Sequence, residues 1–550
     1  MTVIWLVLAI IVLAFTLNTV DEIRRKIKIR KEIKEQWGKL PKMTRFDHEE
    51  SLREAWQIGQ EDRKFDSEID ELTWYDLDMM HIFQQINATK SSIGSEYLYR
   101  KMREFDFDNE NLKRLEHLIT YLEENPETRE KLQYLFAMIG KKDANLVQYY
   151  LKHSKKSFLP RVEIYIFLGI LPVVLLPVAV IFQTPPAILI FLGSILLNMS
   201  LYLKKKIEIE KELICMSYLV NTFVVCKKFL HLDFPSKEIL EKNYHHFSSV
   251  RKFAFTFRVK SGSDLEVIFD YFNGLFLIPL LSYNFVLKKL SSHKQEAVEI
   301  LELLGELEFA IAILNFRYAL PYFCVPNRTT QYKVNAQDVC HPLLLDGVGN
   351  VVAWKKSTLV TGSNASGKST YIKAVAINTI LSQTIHTAFA TEFSCTSGHV
   401  LTSMAIEDDL FEGESYFIAE TKSIKRILDV VETGEFVFAF IDEILKGTNT
   451  IERISASSSI LEWLSEKNVL AFVATHDIEL SQILQGKVEN IHFSERFTEH
   501  GELTFDYSLK KGAAKTRNAL KLLETLDFPT KVLEVASKRA NVFDECKKWK

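Results

Sequence analysis

Several things this chain lacks narrow what it can be. A surplus of positive charge is one: 68 Lys and Arg face 71 Asp and Glu, for a formal net charge of −3. No bulk basicity therefore recommends nucleic acid as a partner, although local basic patches stay open. The six cysteines (Cys215, Cys226, Cys324, Cys340, Cys395, Cys546) show no Cys-x-x-Cys spacing. They read as reduced cytosolic thiols, neither a disulfide framework nor a metal cluster. His-rich and low-complexity tracts are missing. The apolar stretch at the start has no positive charge before it and no small-x-small site after it, which argues against a cleavable signal peptide. What remains is 550 residues at 47% hydrophobic and 25% charged, enough for several domains.

Against that plain background one segment stands out. Residues 359–370 read LVTGSNASGKST, a short apolar strand entering Gly-x-x-x-x-Gly-Lys-Ser. In such a loop Gly362 and Gly367 let the backbone curl, and successive N–H groups from Ser363, Asn364, Ala365 and Ser366 point at a phosphate chain. Lys368 supplies mobile positive charge, Ser369 offers its hydroxyl to Mg²⁺, and the helix starting there adds its positive end beside Thr370. Downstream, FVFAFIDEI over 436–444 is a buried parallel strand by pattern, ending in Asp442 and Glu443. Ligands of open α/β sheets gather at such strand ends. Asp442 is expected to hold the Mg²⁺ hydration shell, and Glu443 to orient or deprotonate the attacking water. A third strand, Val469–Ala474, delivers Thr475-His476-Asp477, with His476 in reach of a γ-phosphate or the water. Read as an isolated residue, a histidine is more often part of a core or a surface. Between loop and acidic strand, DDLFEGESYFIAE (408–420) offers Gly413 and Ser415 ahead of an amphipathic helix. Alone it is merely a helix start; in ABC-type ATPases such a segment closes on the opposing subunit's nucleotide, which implies a homodimer.

These residues resemble the MutS family of ABC ATPases. TGSNASGKSTY is similar to the family's TGPNMGGKSTY, and DDLFEGESYFIAE to DDLxxGxSTFxxE, keeping Gly413, Ser415, Phe417 and Glu420. IDEILKGTNT resembles DEIGRGTST, and ATHDIEL resembles ATHYxEL with His476 at the histidine position. His341-Pro342 looks like the RHP element, and the tail from Gly512 like the closing dimerisation helices. A looser resemblance links 86–132 and the stretch from Leu304 to the family's helical lever. Ser363 and Ala365-Ser366 depart from the usual Pro and Met-Gly but keep the loop small. No counterpart of the mismatch-reading domain with its Phe-x-Glu wedge precedes Ile86, and no nuclease domain is seen after Lys550. The resemblance implies ATP and Mg²⁺ as cofactors and ATP hydrolysis as the activity, with DNA as a possible partner.

Apolar runs of membrane length form the second feature. Residues 2–18 carry no charge and lead straight into DEIRRKIKIRKEIK. That is roughly the shortest length that spans a bilayer, and the basic cluster from Arg24 to Lys42 places this flank in the cytoplasm. Ile164–Phe182 and Ala187–Leu203 are joined by Gln183-Thr184-Pro185-Pro186, which predicts a helical hairpin. Lys152, Lys155, Lys156 and Arg161 precede it and Lys204, Lys205 and Lys206 follow, so both outer ends are expected inside the cell. Pro172 and Pro177 suggest a kink tolerable in a packed bundle. A buried soluble hairpin is the alternative.

The expected architecture is an α/β ABC-type P-loop ATPase domain at 330–550, with C-terminal dimerisation helices, and an all-α lever or core region at 45–158 and 205–329. A transmembrane anchor at 1–20, a basic segment at 21–44 and a transmembrane hairpin at 159–204 complete it, giving a multi-pass cell-membrane protein with about three spans and a cytoplasmic ATPase. Leu118, Tyr121 and Leu122, and later Ile300, Leu303, Leu304 and Leu307, are expected core stripes. RKFAFTFRVKSGSD (251–264) reads as a segment with an apolar inner face, or else as a surface that stacks bases and contacts phosphate. The expected function is a membrane-anchored, mismatch-repair-like ATPase acting on DNA across a dimer interface. The alternative is a mechanochemical ATPase acting on protein partners without DNA. An ABC transporter half is a weaker third reading, since an LSGGQ-type signature is missing.

Overall fold

A computed structural model describes residues 2–41, 47–61, 63–142, 147–153, 158–253, 256, 271–362, 366–404, 416–497, 503–514, 523 and 528–546. The chain forms two compact units. One comprises Met1–Lys64, Gln84–Arg100 and Lys113–Ala319; the other comprises Phe65–Phe83, Lys101–Leu112 and Leu320–Lys550.

The first unit is helical. Helix α1 (Thr2–Gln36) runs unbroken from the apolar stretch into the basic one. Pairs such as Lys26–Glu22, 2.6 Å apart, support its charged half. The side chains of residues 2–15 lie outside the described residues. Helix α2 (Ser92–Arg103) packs against α9 (Lys294–Ala319), which carries the expected stripe: Ile300, Leu303, Leu304 and Leu307 are all buried. On α3 (Glu110–Glu124) Leu118 and Leu122 are buried too, while Tyr121 is half-buried and donates its hydroxyl to the Asp233 carbonyl at 2.8 Å. Glu302 of α9 clasps Arg100, and Glu116 clasps Arg317 in the same two-pronged way.

Helices α4 (Val162–Phe182) and α5 (Pro185–Glu208) form the predicted hairpin. Gln183 adopts a left-handed conformation (φ +49°) and Thr184 is extended, so Pro185 opens α5, where its missing N–H costs nothing. Helix α4 is continuous through Pro172 and Pro177. Both helices are long and apolar enough to cross a membrane, and only 17% of each one's most apolar window is buried. Phe167, Ile181, Leu189 and Leu196 are exposed, so the pair is no ordinary core hairpin. Asn198, fully buried, donates to the carbonyls of Leu168 (2.7 Å) and Leu275 (2.8 Å), pinning α5 to its neighbours. Beyond the hairpin come α6 (Glu210–Phe229), α7 (Lys237–Tyr244), a 3₁₀ segment His245–Phe253 and α8 (Ile278–Ser292). Phe253 packs on Phe285, with ring centroids 4.8 Å apart; most of the basic-aromatic segment after it lies outside the described residues.

The second unit is α/β. The strands of its two larger sheets, in chain order, are β1 (Asn327–Arg328), β2 (Val334–Val339), β3 (Asn350–Trp354), β4 (Thr358–Thr361), β5 (Glu392–Cys395), β6 (His399–Ser403), β7 (Val437–Asp442), β8 (Val469–Thr475), β9 (Glu489–His492) and β10 (Lys510–Lys511). The main sheet has the order β10-β9-β4-β8-β7-β6, and all its pairings are parallel except β9 with β10. A smaller sheet has the order β1-β5-β2-β3. Strand β7 explains the layering. Phe438 and Phe440 turn toward Trp354, whereas Val437, Ala439 and Ile441 turn to the opposite core with Ile424, Ile427 and Leu461. A strand buried on both faces has to be apolar at every position. Helix α10 (Lys368–Thr384) follows β4, α11 (Tyr416–Glu432) precedes β7, and α12 (Thr450–Ser465) lies between β7 and β8.

The sheet's β6 edge is covered by a segment from far upstream. Thr402 Oγ1 donates to Asp76 Oδ2 at 2.6 Å, Met404 N donates to the same oxygen at 2.9 Å, and Arg426 pairs with Asp70. A short helix, Glu71–Asp76, thereby protects an edge otherwise open to pairing.

Candidate active site at the strand ends

Glu443 and His476 issue from the turns just after parallel strands, and Lys368 opens the helix that follows the loop after β4. Strand β4 is fully buried and ends at Gly362, whose φ is +139°. A Cβ at Gly362 would sit 2.6 Å from the Phe493 carbonyl oxygen, so only glycine fits this turn. Residues 363–365 (Ser363, Asn364 and Ala365) lie outside the described residues. Ser366 is buried, and Gly367 returns the chain with φ +98° into α10. Lys368, at the first turn, is 2% exposed. Its ammonium donates to the Gly362 carbonyl and lies 3.2 Å from His476 Nε2. Ser369 is half-buried and Thr370 exposed.

The acidic strand ends at a strained corner. Glu443 has φ +65° and Leu445 φ +54°, unusual values for residues with side chains. The Glu443 N–H donates to the Ala474 carbonyl at 3.0 Å, so the corner is tied to β8. Its carboxylate has two partners: His476 Nε2 at 3.2 Å and Lys446 Nζ at 2.8 Å. The His476 hydrogen bond, with Lys446 beside it, overcomes partial burial and holds the Glu443 carboxyl down at about 2. Asp442 is half-buried at the last position of β7, opposite Ala474. The structure thus brings together Gly362, Gly367, Lys368, Glu443 and His476. Gly413 and Ser415 lie outside the described residues.

Three supports were not assigned roles by sequence reasoning. Glu420, 2% exposed on α11, accepts from the N–H groups of Lys446 (2.7 Å) and Gly447 (3.1 Å), clamping the chain just past Glu443. Its place in the DDLFEGESYFIAE pattern was the available signal, though not its purpose. Arg453 grips Asp477 with two bonds of 2.8 and 2.7 Å, steadying the turn that presents His476. Tyr507 lies against the phosphate loop: a Cβ on Gly367 would be 3.0 Å from its ring. Asn350 holds that stretch by donating to the Tyr507 carbonyl (2.9 Å) and accepting from Leu509 N (2.9 Å). Tyr507 follows a short two-stranded element, and no local pattern marks it.

The donor set suits a nucleotide. Positive-φ glycines, a helix N-terminus and a buried lysine make a phosphate cradle. The Ser369 hydroxyl and Asp442 carboxylate are hard oxygen donors, the kind Mg²⁺ takes.

A family model, MutS domain V, matches residues 358–544. MutS protein homolog 4 of Homo sapiens is 31% identical over 185 residues, covering 32% of this chain and 19% of that protein. DNA mismatch repair protein MutS of Thermus thermophilus is 27% identical over 214 residues, 38% of this chain and 24% of the relative. The Methanosarcina barkeri protein of the same name is 28% identical over 283 residues, 47% of this chain and 31% of the relative. The matches span less than a third of these relatives' own lengths. Loop, acidic strand and histidine turn all fall inside the residues that match MutS domain V.

Proposed function

We propose that this chain is a membrane-anchored MutS-like ATPase that hydrolyses ATP at a dimer interface and couples the reaction to movement of its helical core on DNA. One observation carries the reading: Lys368, His476 and Glu443 converge at the ends of β4, β8 and β7. The backbone after Gly362 and the Lys368 ammonium bind the phosphates, and the exposed Tyr507 ring borders the loop on the side of Gly367. Ser369 and Asp442 would hold Mg²⁺, which supplies charge neutralisation when bound. Glu443, already ionised at neutral pH, accepts a hydrogen bond from the attacking water and aligns it. His476 fixes the rotamer of that carboxylate from the other side. Ser415 of a second copy would complete the site.

The exposed apolar faces of α4 and α5 support membrane anchoring, with the α/β unit in the cytoplasm. The mismatch-repair names of the relatives favour DNA, whereas the net charge of −3 favours the second reading, a mechanochemical ATPase acting on protein partners. ATP turnover by the detergent-solubilised full chain tests the enzyme. Binding of branched or mismatched duplex across a salt series, with and without ATP, separates the two readings. Failure to hydrolyse ATP overturns both, and a missing shift at low salt leaves only the second.

A further inference from the structure

Away from the nucleotide site, two imidazoles and a carboxylate meet in the helical unit. His246 belongs to the 3₁₀ segment after α7, His293 is the residue between α8 and α9, and Glu296 lies in the first turn of α9. One ligating atom from each lies within 4.8 Å of the others. The two rings stack with centroids 4.1 Å apart and 29° between planes. Glu296 Oε1 is 3.5 Å from His293 Nδ1 and 3.9 Å from His246 Nε2. Such separations are long for hydrogen bonds. They are close to the spacing of neighbouring ligands around an ion bound at about 2.0–2.1 Å.

The platform beneath is firm. Phe247 is fully buried and stacks on Phe223, with centroids 4.4 Å apart and planes at 4°. Val250, Leu287, Leu290 and Ala297 are buried as well. Asn243 donates to Glu299 at 2.7 Å, linking α7 to α9 beside the cluster. The three side chains themselves are between 26% and 32% exposed, so an ion can reach them.

The chemistry selects a ligand class. Two nitrogens with one oxygen suit borderline divalent ions such as Zn²⁺, while Mg²⁺ and Ca²⁺ favour oxygen alone. We propose that His246, His293 and Glu296 form a binding site for a divalent transition metal of the zinc class, leaving a fourth position for water. The ion ties the 3₁₀ segment to the start of α9. This reading is independent of the nucleotide chemistry.

The test is a zinc titration of the detergent-solubilised full chain, free of nucleotide and in excess Mg²⁺, followed by calorimetry. One ion per chain at micromolar affinity or tighter is expected, and Co²⁺ should give visible bands without thiolate charge transfer. His246→Ala and His293→Ala should each weaken zinc by at least about 10-fold. Wild-type affinity in both variants, or millimolar binding to the parent chain, overturns the site. Should either variant misfold by circular dichroism, the unaltered chain decides the matter. Zinc should shield His246 and His293 from diethyl pyrocarbonate in peptide mass spectra, and unshielded modification refutes the proposal.

Discussion

Lys368 and Glu443 share one atom: His476 Nε2 lies 3.2 Å from the ammonium of the first and 3.2 Å from a carboxylate oxygen of the second. A single ring nitrogen cannot accept from one and donate to the other at once. Its tautomer therefore couples Lys368, the proposed phosphate ligand, to Glu443, the proposed water-orienting carboxylate. When Lys368 turns to phosphate, the Nε2–H is free to donate to Glu443.

Removing charge at either end separates binding from turnover. Glu443→Gln should keep ATP affinity and lower kcat by about 10²–10⁴-fold. Lys368→Ala should fail to retain nucleotide. Filter-binding of labelled ATP beside phosphate release checks both, and wild-type hydrolysis in the glutamine variant contradicts the assignment.

Acid sensitivity follows from the depressed Glu443 carboxyl. Its folded value, about 2, lies below the ordinary 4.5, so its stabilisation is present above 4.5 and lost as pH falls toward 2. Lys446→Ala removes one of the two groups holding it down. Turnover at neutral pH should change little, while the acid limb of kcat should move up from the parent's toward the ordinary carboxylate range, His476 still holding it below 4.5. Superimposable pH–rate profiles for variant and parent would show that Lys446 does not tune this carboxylate.

Glu420 is expected to matter without touching substrate. Glu420→Ala removes the charged acceptor of the Lys446 and Gly447 N–H groups, at about 1.5–3 kcal/mol of stability in the α/β unit. It should slow turnover more than it weakens ATP binding, because the clamp acts on the Glu443 corner. Glu420→Gln, which still offers an acceptor, should recover part of the loss. Thermal unfolding together with a kcat and KM comparison reads all three outcomes.

The helical unit should lose stability toward neutral pH. Glu308, wholly buried, has its carboxyl pushed up to about 7 by burial, against hydrogen bonds from the Ser91 hydroxyl and the Lys90 and Ser91 N–H groups and the charge of Lys141. A raised carboxyl contributes stability below 4.5 that is lost as pH rises through about 7. The melting midpoint should fall by on the order of several degrees across that window. Glu308→Gln should flatten the slope; an unaltered slope would mean another group titrates there.

The site was largely legible because its pieces are local. A glycine-lysine loop after an apolar strand, or carboxylates ending one, forms within a dozen residues. Tyr507 was not legible, since it reaches Gly367 only once the chain has passed through β9 and returned. The same holds for Asp76, whose bonds to Thr402 and Met404 join residues hundreds of positions apart.

The order of residues alone was enough to read Asp442, Glu443 and His476 at strand ends, the apolar hairpin and the core stripe of α9, since each depends on side-chain period and near neighbours. Packing settled which carboxylate faces His476, that Glu420 clamps backbone, and that His246 of the 3₁₀ segment stacks on His293 beside Glu296. Those facts depend on strand order and helix packing, where burial and hydrogen-bond geometry bring distant residues within reach.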